Sequence, residues 1–208
     1  MPVSFFKNRR IVTGTSSSLL QFQSSTTSGQ SPSVHEVIQP DLYHFAIQSG
    51  FSAVYGNPSQ YSILALLPSY LERNNSGLVY MAKYLMDQTS EPSDFYLNNL
   101  EDVLQQLSKN ESRGIKTILL GVTYALLDLA AMYNAKPLKN TIIMETGGMK
   151  GRRQELTKNE VHSILCESFG VEKIDSEYGM TELLSQAYSI GNGYYVPSPT
   201  MKVVITDT

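Results

Sequence analysis

The most informative stretch of the sequence runs from Ser176 to Ser185 and reads Ser-Glu-Tyr-Gly-Met-Thr-Glu-Leu-Leu-Ser. It follows residues 170–174, Gly-Val-Glu-Lys-Ile, which read as a turn into a short strand. An aromatic ring here can stack on a base, and a glycine lets the backbone approach a ligand closely. A hydroxyl can bond a phosphate oxygen, and a carboxylate can hold Mg²⁺. The stretch therefore suits a nucleotide site at a strand end, with an ordinary surface loop as the alternative.

A second segment is rich in hydroxyl groups and precedes the first by most of the chain. Residues 24–33 read Ser-Ser-Thr-Thr-Ser-Gly-Gln-Ser-Pro-Ser, directly after an apolar patch at residues 19–22 that can form a strand. Such a loop offers backbone N–H groups and hydroxyls to an anion. The same composition also suits a flexible linker. In combination with Tyr178–Glu182, the segment favours a phosphate-binding loop.

The two segments together resemble the signature of the adenylate-forming superfamily, which includes acyl-CoA ligases, luciferase and peptide synthetase adenylation domains. The motif Tyr-Gly-Met-Thr-Glu of that superfamily is matched letter for letter at Tyr178–Glu182. Its phosphate loop, close to Ser-Ser-Gly-Thr-Thr-Gly, is matched at Ser24, Ser25, Thr27 and Gly29, with Thr26 and Ser28 in place of glycine and threonine.

Within that superfamily the chain is most similar to the acyl-protein synthetase (LuxE-like) family, the fatty-acid-to-protein ligases of bacterial bioluminescence and their non-luminous relatives. The resemblance covers nearly the whole chain. The supporting segments, besides the two motifs, are residues 2–7, 32–35, 67–71 and 144–153.

The resemblance implies that ATP and Mg²⁺ are the cofactors and assigns roles to particular residues. Glu182 would be the metal ligand, Thr181 would bond the α-phosphate, and Tyr178 would stack on adenine beside Gly179. The alternatives are a helix-entry glutamate, an N-cap hydroxyl and a core-filling ring. The phosphate loop would consist of Ser24, Ser25, Thr26, Thr27, Ser28 and Gly29.

Two further segments are weaker candidates. Gly147 and Gly148 resemble the adenine-side turn of the family, and an ordinary stop between strand and loop explains them equally well. The basic residues that follow could neutralise phosphate or contact a partner, although a solvated loop is favoured for Lys150, Arg152 and Arg153.

The three histidines and the single cysteine are the remaining candidates for catalysis or metal binding. His35 follows the phosphate loop and joins Glu182 and Thr181 as a catalytic candidate, because its ring could approach the acyl carbonyl or a phosphate; a surface histidine is the alternative. His44 and His162 show no metal-ligand spacing with each other or with Cys166, so no zinc site is expected. Cys166 lies on the apolar face of a predicted helix, where burial is favoured over a reactive thiol.

The length and composition of the chain indicate which class of protein it belongs to. A chain of 208 residues, 41% hydrophobic and 17% charged, predicts one globular domain. A net charge of −3 gives no broad attraction to nucleic acid, so none is expected as a partner. The single cysteine excludes an internal disulfide and favours the reducing cytoplasm. No apolar run approaches the ~20 residues of an integral membrane segment.

The hydrophobic pattern alternates between strand and helix, which predicts an α/β fold with a largely parallel sheet covered by helices on both faces. By resemblance this is the core of the N-terminal domain of an adenylate-forming enzyme. Both motifs fall at predicted strand ends, where such sheets bind ligands. Strands are expected at 19–23, 61–67, 117–122, 141–144, 172–176 and 202–206. Helices are expected at 41–54, 77–86, 98–107, 124–132 and 157–169. The last of these helices has a capping box at Thr157 and Glu160 and a stop at Gly170.

The function implied by the resemblance is ATP-dependent activation of a carboxylic, and in this family fatty, acid as an acyl-adenylate. The acyl group would then pass to a protein or thiol acceptor. Residues 1–208 are expected to form a single partial adenylation domain without the C-terminal domain of the family, and Cys166 does not match the acceptor cysteine of the luminous enzymes. The alternatives are a non-catalytic module that binds a nucleotide or a partner, and an acyltransferase that uses no ATP.

Overall fold

The computed structural model describes residues 2–12, 14, 17, 19–24, 31–68, 75–147 and 156–205. Its centre is a sheet of seven strands in the spatial order β4-β3-β5-β6-β7-β8-β9. The first five of these strands in spatial order are parallel, and the last two pair antiparallel. The strands of this sheet are β3 (Ser62–Leu66), β4 (Asp94–Tyr96), β5 (Thr117–Val122), β6 (Thr141–Thr146), β7 (Asp175–Tyr178), β8 (Ala187–Ser189) and β9 (Val196–Pro197).

The middle of the sheet is buried throughout. Every residue of β3 and of β5 is buried, and apolar residues occupy most of both strands. A strand that is covered on both faces reads as a continuous apolar run, which is why sequence alone predicts these two. The β3–β5 and β5–β6 ladders are in continuous register, so the carboxyl ends of the three strands lie side by side.

Six helices of the described chain accompany the sheet, and their caps follow from sequence. The last helix begins with Thr157, whose hydroxyl accepts from the Glu160 N–H while the Glu160 carboxylate accepts from the Thr157 N–H, and it ends at Gly170 in the left-handed conformation. Gly114 ends the helix before β5 in the same way. The helices are α1 (Phe5–Asn8), α2 (Pro40–Tyr55), α3 (Gly77–Met86), α4 (Leu100–Arg113), α5 (Thr123–Met132) and α6 (Lys158–Phe169). None of the helices in the described part of the chain combines the length and the apolar character that a membrane crossing requires.

A separate antiparallel hairpin lies beside the sheet. It consists of β1 (Leu20–Gln23) and β2 (Val34–Val37). The ring of Phe22 packs edge-on against Tyr43 of α2 and Tyr80 of α3, with centroids 5.4 Å away in both cases. The backbone N–H of Gln23 donates to the carbonyl of Asn75 at 2.8 Å. These contacts fix the start of the hydroxyl-rich segment against the helical layer.

Three sequence expectations need correction. Residues 202–205 form no strand, since Val203, Val204 and Ile205 are exposed and pair with no described strand. The strand expected at 172–176 lies at Asp175–Tyr178, because its pairing with β6 begins where Asp175 stands opposite Met144. The helix expected to end at Leu107 continues to Arg113, since Asn110 is buried within it and binds Ser62 and Thr117.

Candidate active site

A cleft of about 640 Å³ opens at the carboxyl ends of β6 and β7 and beside the start of α5. Its walls come from the hairpin, from α2 and α3, from the start of α6 and from the turn after β7. In open α/β sheets this is the edge at which ligands bind, because the loops that leave parallel strands meet there.

Six of the residues singled out from sequence line this one cleft. They come from three distant parts of the chain: Ser24, Gly147, Tyr178, Gly179, Thr181 and Glu182. The candidates Ser25, Thr26, Thr27, Ser28, Gly29 and Gly148 lie outside the described residues, as do Lys150, Arg152 and Arg153.

Ser24, at the start of the hydroxyl-rich segment, is hydrogen-bonded to Ser33 at its end. Its Oγ accepts from the backbone N–H of Ser33 at 2.8 Å, and its own N–H donates to the Ser33 carbonyl at 3.0 Å. The two ends of the segment are therefore held together at the cleft wall.

The turn after β7 carries the motif Tyr178–Glu182. It is a turn and not the start of a helix, so neither the N-cap nor the helix-entry alternative for Thr181 and Glu182 applies. The Leu183 N–H donates to the Met180 carbonyl at 3.1 Å and closes the turn. Tyr178 is 45% exposed, so its ring is available to a ligand and core filling is not its role.

His35 contacts the backbone of this turn without lining the described cleft. Its Nδ1 donates to the backbone carbonyl of Thr181 at 2.9 Å, and its ring packs edge-on against Phe6 at a centroid distance of 5.1 Å. The ring is half-buried and is absent from the described lining of the cleft. Its contact is therefore with the backbone that carries Thr181, and direct action on an acyl carbonyl stays a prediction.

A buried carboxylate that sequence reasoning missed lies at the end of β6. Glu145 lines the cleft, and its carboxylate accepts from the Thr123 hydroxyl at 3.0 Å and the Ser176 hydroxyl at 3.2 Å. His162 Nε2 lies 3.4 Å from its Oε2, and Lys158 Nζ lies 3.7 Å from the same atom. Burial acts to raise the pKa of Glu145, but these partners outweigh it and the pKa lies below its usual range.

Lys158 connects this carboxylate to an aromatic wall. Its ammonium donates to the Tyr195 hydroxyl and lies 4.7 Å from the centroid of that ring. The Tyr195 ring in turn meets Tyr178 edge-on, with centroids 6.0 Å apart. Among the described residues that line the cleft, Lys158 is the only lysine or arginine.

A second missed carboxyl, Glu177, lies deeper in the cleft. It is 6% exposed, and its Oε2 accepts from the Thr146 hydroxyl at 2.5 Å. Burial raises the pKa of Glu177 to about 7, although the hydrogen bond from Thr146 opposes the rise; the charge of Glu145 adds to it. A Cβ at Gly179 would lie only 2.7 Å from Glu177 Oε1, so a side chain there would displace the Glu177 carboxyl. Glu145 follows an apolar run in β6, which could have indicated it, whereas β7 reads Asp-Ser-Glu-Tyr and gives no such signal for Glu177.

No cluster of three or more metal-ligating side chains occurs among the described residues. Mg²⁺ in nucleotide sites is commonly held by one or two carboxylates together with substrate phosphates. The single carboxylate of Glu182 on the turn suits that arrangement. The remaining titratable candidates have structural surroundings: the His44 ring stacks on Tyr84 at 4.4 Å, and Cys166 is half-buried against the core, which raises the pKa of its thiol.

Comparison with solved structures places this fold among ligases. O-succinylbenzoate coenzyme A synthetase from Bacillus subtilis, in complex with AMP, matches 82% of this chain and 31% of its own, with a TM-score of 0.56 and 21% identity. An arginine-to-glycine variant of coronafacic acid ligase from Pectobacterium brasiliense matches 84% of this chain and 34% of its own, with a TM-score of 0.54 and 18% identity. The chain shares the fold of these ligases. It spans about a third of their length.

The likeness confirms the expected fold class, a mixed α/β domain whose mostly parallel seven-stranded sheet is flanked by helices. It agrees with the superfamily resemblance at the level of fold. Identities of 18% and 21% do not carry activity or substrate from these ligases to this chain. No family model matches the sequence, and no curated protein matches it. Assignment to the acyl-protein synthetase family stays a prediction.

Proposed function

We propose that this chain forms one adenylation domain that binds ATP with Mg²⁺ and activates a carboxylic acid as an acyl-adenylate, for transfer to a protein or thiol acceptor. The observation that carries the proposal is the convergence of Ser24, Gly147 and the motif Tyr178–Glu182 on one cleft. These residues are distant in sequence, and a shared ligand explains why they meet at the ligand-binding edge of the sheet.

In this proposal, different residues of the cleft contact different parts of the nucleotide. Tyr178 offers an exposed ring to adenine, and the backbone at Gly147 and Gly179 allows close approach. Thr181 would bond the α-phosphate, and its backbone carbonyl accepts a hydrogen bond from His35. The hydroxyls and N–H groups of the segment that begins at Ser24 would receive the β- and γ-phosphates.

The chemistry proposed for this cleft is substitution at phosphorus. A carboxylate oxygen of the acid forms a bond to the α-phosphorus, the bond from that phosphorus to pyrophosphate breaks, and pyrophosphate leaves with the electron pair. Mg²⁺, held by Glu182, would supply positive charge to the phosphate oxygens. Lys158 adds the one further cation of the described cleft wall. Such reactions depend on positioning and charge neutralisation more than on a protein nucleophile. A thiol or other acceptor then takes the acyl group, and AMP leaves.

The acid would occupy the part of the cleft lined by the hairpin, α2 and α3. Apolar side chains from these elements, Phe22, Leu78 and Met81, suit an acid with an apolar body, as the resemblance to fatty-acid ligases suggests. The acceptor is proposed on resemblance alone.

The test is calorimetric titration of MgATP into the chain, followed by acid-dependent ATP–pyrophosphate exchange with fatty and aromatic acids. Glu182→Gln should reduce the rate of ATP–pyrophosphate exchange on the order of 10²–10³-fold, which is the usual cost of losing one electrostatic contact. Glu172→Gln, an exposed glutamate before β7, serves as the matched control.

The outcomes separate the alternatives. Exchange that requires both an acid and Glu182 supports the proposal. Binding of MgATP without exchange favours a non-catalytic nucleotide module. Acyl transfer from acyl-CoA without ATP favours an acyltransferase. Failure to bind either MgATP or AMP contradicts a nucleotide site altogether.

A further inference from the structure

Buried polar side chains line the cleft together with apolar ones. Tyr43 is 3% exposed, Gln186 is 4% exposed and Glu177 is 6% exposed, and all three line the cleft. Gln186 and Glu177 both approach Gly179: a Cβ placed on that glycine would lie 2.7 Å from Glu177 Oε1 and 3.8 Å from Gln186 Cγ. We refer to Tyr43, Glu177 and Gln186 as the polar floor.

The hydrogen bonds of the polar floor are incomplete. Gln186 Nε2 donates to the Tyr43 hydroxyl at 3.2 Å, and that hydroxyl donates to the Gly77 carbonyl at 3.3 Å. Gln186 Oε1 accepts from no described residue, although it is buried. Exchanging the amide oxygen and nitrogen would leave the other amide atom unpaired, so the deficit does not depend on that assignment.

Buried polar groups in folded proteins are nearly always paired, and the exceptions need an explanation. Gln186 lines a cleft that a substrate is proposed to fill, so a ligand group can complete its pairing. A neutral carboxyl at Glu177 can donate a hydrogen bond, while the Gln186 amide oxygen can accept one. A hydroxyl both donates and accepts, which matches this pair.

The apolar side chains above the floor indicate the rest of the ligand. Phe22, Leu78 and Met81 line the same cleft and suit methylene or aromatic groups. A purely hydrocarbon chain in this position would leave Gln186 Oε1 without a hydrogen-bond partner. Sites built to bond a hydroxyl reject the analogue that lacks it, because their own buried groups are then left unpaired.

We infer that the acid activated here carries a hydroxyl group on an otherwise apolar body, and that this hydroxyl pairs with Gln186 and Glu177. The inference rests on the proposed function and names its substrate class. The family resemblance implies a fatty acid substrate, and this inference specifies one that carries a hydroxyl group.

Calorimetry with stable acyl-adenylate analogues, in which a sulfamate replaces the phosphate, tests the inference without requiring turnover. The acyl groups are matched in length and differ only in a hydroxyl placed at successive carbons. At least one hydroxylated analogue should bind wild-type chain about tenfold more tightly than its unsubstituted parent, as expected for one well-placed hydrogen bond. Gln186→Met should abolish that preference while it keeps side-chain volume.

Gln48 offers a matched control. Its Oε1 is also buried without a described partner, yet it lies on α2 away from the lining of the cleft. Gln48→Met should leave the preference for the hydroxyl intact. If Gln186→Met fails to fold, Glu177→Met replaces it and should weaken the preference, because it removes the donor of the protonated carboxyl.

The results distinguish the inference from the function on which it rests. Tight binding of the unsubstituted analogue, equal to that of every hydroxylated one, overturns the inference and leaves acid activation standing. Retention of the preference in the Gln186 and Glu177 variants also overturns it. Failure of all analogues and of AMP to bind contradicts the nucleotide site itself.

Discussion

His35 Nδ1 lies 2.9 Å from the backbone carbonyl oxygen of Thr181, across 146 positions of the chain. This hydrogen bond joins β2 of the hairpin to the turn that carries the proposed metal ligand. Thr181 is thus positioned from the opposite end of the sequence. The contact links His35 to this turn, although the ring does not line the described cleft.

Replacing His35 should therefore weaken nucleotide binding without removing a ligand contact. In His35→Ala the turn loses its donor, and we expect about a tenfold loss in MgATP affinity, because the net value of one such hydrogen bond is about 1 kcal/mol and the turn also becomes less ordered. His35→Asn, which keeps a short donor, should recover part of the loss. Titration calorimetry measures both. Phe5→Ala, an exposed neighbour of the ring's packing partner Phe6, is the control, and an unchanged affinity in His35→Ala would refute the positioning role.

Lys158 should contribute charge to nucleotide binding. Lys158→Met removes the one cation of the described cleft wall, and we expect about a tenfold or greater loss in MgATP affinity, since hydrogen bonds to charged groups contribute about 1.5–3 kcal/mol. The salt dependence of the affinity should also become less steep. Lys83→Met, which removes an exposed lysine paired with Asp87 on α3, is the matched control. Equal salt dependence in the Lys158 variant and the wild type would argue against the role.

The titration of Glu177 should appear in the pH dependence of stability. Burial raises the pKa of Glu177 from its ordinary 4.5 to about 7 in the folded chain. Between these values the folded chain holds a proton that the unfolded chain has released, so the free energy of unfolding falls as pH rises. The fall attributable to this group is on the order of 3 kcal/mol, at about 1.4 kcal/mol per unit of pKa.

Glu177→Gln removes that titration. The stability of the variant relative to the wild type should therefore rise as pH increases from about 5 to about 8. Urea unfolding at several pH values gives the comparison, and Glu172→Gln, an exposed residue, should follow the wild type. Parallel curves for Glu177→Gln and the wild type would show that the carboxyl ionises normally.

A side chain at Gly179 should displace the buried Glu177 carboxyl and so destabilise the chain. A methyl group at Gly179 would lie 2.7 Å from Glu177 Oε1, and we expect Gly179→Ala to lower the free energy of unfolding by about 1–3 kcal/mol. Glu177→Asp withdraws the carboxylate by one methylene, so the same glycine substitution should cost less in that background. A double-mutant cycle by urea unfolding gives the coupling. An additive cycle would show that the two positions do not interact.

Much of the fold follows from sequence because its signals are local. Strands β3 and β5 read as apolar runs, and the capping box at Thr157 with the stop at Gly170 gives both ends of α6. The short strands β2, β4, β8 and β9 were not predicted, since their pairing comes from neighbours in space and not from their own pattern. Residues 202–205 show the converse, an apolar β-branched run without a described partner.

The candidate site divides in the same way. The motif Tyr178–Glu182 and Ser24 were found from their letters, and the structure brings them to one cleft. Glu145, Glu177, Lys158 and Tyr195 carried no motif, because their roles arise from burial and from contacts between β6, β7 and α6. A buried carboxyl and an exposed one look alike in a sequence.

The hairpin of β1 and β2 makes the cleft depend on a part of the chain that the main sheet does not need. Strands β3–β7 come from residues 62–178, whereas the cleft also uses hairpin residues Phe22, Gln23 and Ser24. A two-stranded unit of this size has little stability of its own, so we expect it to open from the core, where Phe22 and Val37 pack, before the sheet unfolds. The cleft would then be lost by a partial opening far less costly than unfolding. The measured ligand affinity would consequently depend on the fraction of molecules in which the hairpin is packed against the helices. Hydrogen exchange in β1 and β2 should slow on ligand binding, while exchange in β5 stays unchanged.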